Sequence, residues 1–113
     1  MIRLKRIYER AADDDGLRIL VERLWPRGIS KANAKLDLWA KDVAPTDALR
    51  RWHRHQPQRW PEFRERYRRE LESNEKAVSE LKAMVLGRRA TFVFAAAEPE
   101  HNSAAVLKEF LGE

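Results

Sequence analysis

The 113-residue chain has no cysteine and only four glycines. The first absence excludes disulfides, a thiol nucleophile and thiolate metal sites. The second leaves little material for a glycine-rich phosphate loop. No stretch approaches the ~20 apolar residues of a membrane span. Met1-Ile2-Arg3-Leu4-Lys5 offers no apolar segment for a secretory signal. No serine stands in a nucleophile elbow. His53 and His55, two residues apart, are poorly spaced for one metal ion. No metal, cofactor or membrane is therefore expected, and the cytoplasm is the expected compartment.

What is present is 43% hydrophobic and 36% charged. That is enough apolar material for one core under a densely ionic surface, so residues 1–113 are expected to form a single domain. Basic residues outnumber acidic ones 23 to 18, and sixteen of them are arginines. Eight arginines lie between Leu49 and Arg69, against Glu62 and Glu65. All four tryptophans, at 25, 39, 52 and 60, fall within 36 positions, two of them inside this segment. Arginine pairs with phosphate and aromatics stack on bases, so the segment is compatible with nucleic acid. A solvated helix face above ordinary core tryptophans is the blander reading, and it comes first.

Residues 2–8 alternate like an edge strand, and the aspartates before Gly16 are turn chemistry. Residues 17–25 read as one strand, with Leu17, Ile19, Val21, Arg23 and Trp25 on one face and Leu20 and Leu24 on the other. The first two strands could form a hairpin or run parallel. Residues 29–45 read as an ordered loop with a helical turn. Thr46 is expected to cap a short helix running to about Arg54. Trp60, Phe63, Tyr67 and Leu71 make one apolar stripe on a helix whose first turn holds Pro61. Asn74 is expected to cap the next helix, with Ala77, Val78, Leu81, Met84 and Val85 buried and Gly87 just past its end. Residues 90–97 read as a strand buried on both faces, followed by a helix opening at Asn102. The pattern predicts a small α/β layered domain with a short, mostly parallel central sheet flanked by helices.

Ligands of open α/β sheets bind beyond the carboxyl ends of the strands. Two loops leave such ends, at residues 23–28 and 98–102. If strands 17–25 and 90–97 are parallel neighbours, Arg27 and His101 approach one another. Free N–H groups at the Asn102 helix would then join Arg27, Lys31 and His101 in favouring a phosphate or carboxylate. His101 is the candidate general base in its neutral form. Each member has a structural alternative. Arg23 could be buried against Asp37 or Asp42, Asn102 could be only a helix cap, and Trp25 and Trp39 could be core walls.

The string Leu20-Val21-Glu22-Arg23-Leu24-Trp25-Pro26-Arg27-Gly28-Ile29-Ser30-Lys31 resembles the YeaO-like proteins, a bacterial branch of the domain-of-unknown-function 488 family. The resemblance continues through Leu36–Trp39, Lys41–Pro45, Leu49–Trp52, His55, Phe63, Tyr67, Glu70-Leu71, His101-Asn102 and Val106–Glu109, nearly the whole chain. It implies a small α/β domain and names no reaction. Carried over position by position, it implies site residues Arg23, Trp25, Arg27, Lys31, Asp37, Asp42, Arg50, His55, His101 and Asn102. The chain departs from the family pattern at Glu22, His53, Arg54, Gln56 and Ser103, where Asp, Phe, Gly, Asp and His are usual.

Three functional readings follow. The first is a binder of a small anionic, phosphate-bearing and nucleotide-like ligand at Arg27, Lys31 and His101, with the question of catalysis open. The second is a nucleic-acid accessory protein using the Arg50–Arg69 face, binding weakly and without sequence preference. The third is a protein-interaction module with no small ligand. Oligomeric state has no signature in the sequence.

Overall fold

The computed structural model describes residues 1–112. It contains a four-stranded, fully parallel sheet in the order β1-β4-β2-β3. The strands are β1 (Ile2–Arg6), β2 (Leu17–Leu20), β3 (Leu38–Trp39) and β4 (Ala90–Phe94). The helices are α1 (Lys31–Ala34), α2 (Asp47–His53), α3 (Trp60–Ser73), α4 (Glu75–Val85) and α5 (Ser103–Phe110). β4 lies between β1 and β2, and all five of its residues are buried. A nearly continuous apolar run suits a strand with neighbours on both edges and cover on both faces.

Leu17 through Leu20 pair in register with Ala90 through Val93, so β2 and β4 are adjacent and parallel. The hairpin alternative for the first two strands is excluded, because β4 separates them. Their short connection crosses over through a 3-10 turn at Asp13–Asp15. Asp15 anchors that turn from inside. Its carboxylate accepts from Lys5 Nζ and Arg18 Nη1, each at 2.7 Å, while Thr91 Oγ1 donates to its carbonyl at 2.7 Å.

β2 is shorter than the sequence pattern predicts. Val21 N–H still reaches the Val93 carbonyl at 3.2 Å. Beyond it, side chains replace the ladder. Glu22 Oε2 accepts the Ala95 N–H at 3.2 Å, and Trp39 Nε1 donates to the Glu22 carbonyl at 2.6 Å. The period-two alternation therefore stops. Trp25 does not share a face with Ile19 and Val21; it packs on the other side with Leu20 and Val93.

The larger core lies between the sheet and helices α3 to α5, and includes Ile19, Phe92, Phe63, Tyr67, Leu81 and Leu107. The opposite face is covered by residues 25–36, through Trp25, Ile29, Ala34 and Leu36. Local chemistry sets the helix ends. Thr46 Oγ1 accepts from Leu49 N, Ser30 Oγ from Asn33 N, and Asn102 Oδ1 from Ala105 N. Pro61 sits in the first turn of α3, with Pro57 opening a separate 3-10 turn before it. Two expectations fail on α4. Asn74 precedes it without a side-chain cap bond; its Nδ2 donates to the Asp42 carbonyl. Met84 is exposed, because no element packs over that part of the helix face.

Candidate functional site

Glu22, Arg23, Ala95 and Ala96 follow the carboxyl ends of β2 and β4, and the ends of α2 and α5 come close to them. His53 ends α2, and its ring stacks on Phe63 at 4.3 Å. His55 follows it, 6.1 Å ring to ring. His101, just before α5, stacks on Trp60 at 5.0 Å and 16°. Trp60 is in turn 5.5 Å from Phe63 and 6.1 Å from His53. His53 and His101 thus flank one tryptophan–phenylalanine pair, and His55 joins them through His53.

Glu22 borders this cluster. Burial pushes its carboxyl pKa up; the Ala95 N–H and the charges of His55 and Arg50 pull against that rise without cancelling it. His53 is shifted the other way, because burial and the neighbouring charges of His55 and Arg59 disfavour its imidazolium. Arg50 pairs through one nitrogen with Asp47 at 3.2 Å, while its Nε is buried without a hydrogen-bond partner.

The other expected residues have different surroundings. Arg23 has no carboxylate partner; it donates to the Pro45 and Ala44 carbonyls, both at 2.9 Å. The expected pairing with Asp37 or Asp42 is not formed. Asp37 Oδ2 accepts the Arg18 backbone N–H at 2.8 Å, and exposed Asp42 borders two surface grooves of about 450 and 330 Å³. The buried arginine is Arg18, held by Asp15 and by the Ala34 and Lys35 carbonyls. Its signal was an aspartate three residues ahead of an in-strand arginine, hidden within three successive aspartates.

Trp25 is a wall, its Nε1 on the Ile29 carbonyl at 2.7 Å and its ring edge-to-face with Trp39 at 5.4 Å. Arg27 and Lys31 are exposed. Their loop covers the opposite sheet face from Trp60, and Arg27 is tied to the end of β1, where Tyr8 donates to its carbonyl at 2.9 Å. Among the described residues, no hydrogen bond, ion pair or ring contact joins Arg27 or Lys31 to His101. Asn102 is buried and caps α5, and Glu98 Oε1 already accepts the N–H groups of Glu100 and His101. The expected free N–H groups before this helix are thus partly occupied by the protein's own carboxylate.

The basic face of α3 is internally paired. Arg64 and Arg68 face Glu109, Arg66 faces Glu62, and Arg69 faces Glu65. Arg59 and Arg66 also lie over the Trp52 ring. No helix among the described residues is long and apolar enough to cross a membrane, and these residues hold no cluster of three or more His, Asp or Glu suited to a metal ion.

A parallel α/β domain whose histidines and arginines meet at the carboxyl edge of the sheet is the class of protein these features define. The chain belongs to the DUF488-N3i family, described as the inactive DUF488-N3 subclade, whose model matches residues 1–113. It is 42% identical over 110 residues to the uncharacterized protein Rv3073c of Mycobacterium tuberculosis (strain ATCC 25618 / H37Rv), covering 97% of this chain and 92% of that one. It is 37% identical over 110 residues to the uncharacterized protein YeaO of Escherichia coli (strain K12), covering 97% and 96%. No solved structure gives a significant match.

Proposed function

We propose that the protein is a cytoplasmic binder of a small anionic, phosphate-bearing ligand, taken up at the carboxyl edge of the sheet without turnover. The observation that carries this reading is the pair of histidines, His53 and His101, against Trp60, with His55 next to His53 and the charges of His55 and Arg50 acting on Glu22. Imidazoles and a guanidinium with a spare donor suit phosphate oxygens, and a planar group on the ligand has Trp60 and His101 to stack on. The family's description as inactive is the reason to propose binding alone. The pairing of the α3 arginines with glutamates leaves the nucleic-acid reading with less support.

The test is calorimetric titration with inorganic phosphate and with a nucleoside monophosphate, at pH 6 and pH 8. Binding is expected, tighter at pH 6, and weakened about tenfold in His101→Ala and in His55→Ala, the scale of one hydrogen bond to a charged group. Absence of binding, or affinities indifferent to both variants, refutes the site.

A further inference from the structure

One turn beside the histidine cluster carries basic residues and no acid. Residues 48–61 contain four arginines, two histidines and no acid. Arg50 reaches back to Asp47, and Arg59 lies over Trp52. Arg51 and Arg54 are exposed and make no side-chain hydrogen bond, ion pair or ring contact among the described residues. Arg51 lies in the last turn of α2, and Arg54 caps the carboxyl end of that helix. On α3, by contrast, Arg64, Arg66, Arg68 and Arg69 all face glutamates.

The backbone of the same turn is strained. Arg54 has φ 49° and ψ 31°, and His55 has φ 55°. Two successive non-glycine residues in the left-handed region are disfavoured, and glycine would adopt either conformation more easily. Such strain concentrates where a side chain serves a ligand. Here the strained turn adjoins the histidine cluster, because His55 within it meets His53, and His53 meets Trp60.

We infer that this turn is a second anion subsite, so that the ligand carries at least two linked phosphate groups: one at the histidine cluster, the next at Arg51 and Arg54. The inference rests on the proposed anion site and specifies its ligand as a diphosphate or triphosphate compound. One phosphate would satisfy only the inner cluster and leave the rim charges unmatched.

The experiment titrates phosphate, pyrophosphate and tripolyphosphate into the wild type, the double variant Arg51→Ala/Arg54→Ala, Arg54→Gly and Arg54→Lys. Thermal melts confirm that each variant is folded. The wild type is expected to bind pyrophosphate at least about tenfold more tightly than phosphate, the scale of one added charge-assisted hydrogen bond. The double variant should lose that preference and keep its phosphate affinity within about twofold, a change small against one such bond. Arg54→Gly should melt higher, its strain relieved, yet bind pyrophosphate more weakly; Arg54→Lys should keep part of the preference. Equal affinities for phosphate and pyrophosphate in the wild type overturn the inference and leave the inner site standing. So does a preference that survives in the double variant. Loss of all phosphate binding removes both. Single-stranded RNA bound more tightly than tripolyphosphate, and released by the same substitutions, would make the turn a nucleic-acid surface and overturn the inference as well.

Discussion

Replacing Asp15 by asparagine should be among the most damaging conservative changes in this protein. Asp15 is only 1% exposed, and its carboxylate takes three donors: Lys5 Nζ and Arg18 Nη1 at 2.7 Å and Ala12 N–H at 3.0 Å. Burial by itself raises this carboxyl's pKa. The bonds from Lys5, Ala12 and Arg18 outweigh that and bring it from 3.8 down to about 2. Asparagine keeps the shape and removes the charge. The Arg18 side chain, 6% exposed, keeps the Ala34 and Lys35 carbonyls but loses its counter-charge. Breaking one member of a buried pair costs ~3–5 kcal/mol, out of a total of ~5–15 for a domain. The pKa difference gives a lower bound of ~2 kcal/mol, since asparagine resembles the protonated acid.

At pH 7 the urea midpoint of Asp15→Asn should fall by roughly 1–3 M, for a slope of ~1.5 kcal/mol/M. The pH dependence has a definite sign. The folded pKa is depressed, so the stabilisation is complete above 3.8 and is lost as pH falls through 3.8 toward about 2. The gap between wild type and variant should therefore close across that interval. A loss below ~1 kcal/mol at pH 7, small against the cost of stranding a buried partner, would show that Asp15 is not the anchor of the crossover. A gap that stays constant down to pH 2 would show that its charge is not what holds the cluster.

Gly16→Ala should lose more than ~3 kcal/mol, because an added Cβ would lie 2.1 Å from the Arg89 carbonyl oxygen at φ 66°; a melt close to wild type would contradict the close approach. Arg23→Met should cost ~1–3 kcal/mol by stripping the Ala44 and Pro45 carbonyls of their donors, less than Asp15→Asn, whereas exposed Arg27→Met should stay within ~0.5 kcal/mol. Paired thermal melts check both, and equal losses would be incompatible with the two environments. His53 has a folded pKa below its ordinary 6.5, so its protonation favours the unfolded chain and it lowers stability as pH falls below 6.5. His53→Phe, which keeps the stack on Phe63, should flatten the loss of urea stability between pH 8 and pH 5; an unchanged slope would remove His53 as its source.

Helix starts and the central strand were legible because their causes are local. Thr46 and Asn102 cap helices with their own side chains, Pro61 fits a first turn wherever that helix lies, and Ala90–Phe94 is apolar enough to require cover on both faces. The apolar stripe of α3 predicted Phe63, Tyr67 and Leu71 as core, and each is buried. The alternation over residues 17–25 misled, because Glu22 and Trp39 take over the ladder bonds and no local pattern announces that exchange. Met84 misled for a related reason: a helix can present an apolar residue where no other element arrives to cover it.

By itself the sequence determined most of the elements, the α/β class, the family and the basic character of the α2–α3 segment, while β3 (Leu38–Trp39) lay hidden in what read as a loop. These depend on composition and on residues a few positions apart, where capping, periodicity and proline geometry act. Tertiary structure alone decided which charges are neutralised and which remain free. Arg18 rather than Arg23 received the buried carboxylate, because the crossover carries Asp15 beneath the sheet. The arginines of α3 were matched by Glu62, Glu65 and Glu109, while Arg51 and Arg54 were left unmatched. His101 reached Trp60, forty-one positions earlier, only because the loop after β4 returns over the start of α3. Electrostatic pairing and ring stacking act over a few ångströms of space, and distance along the chain does not measure that separation.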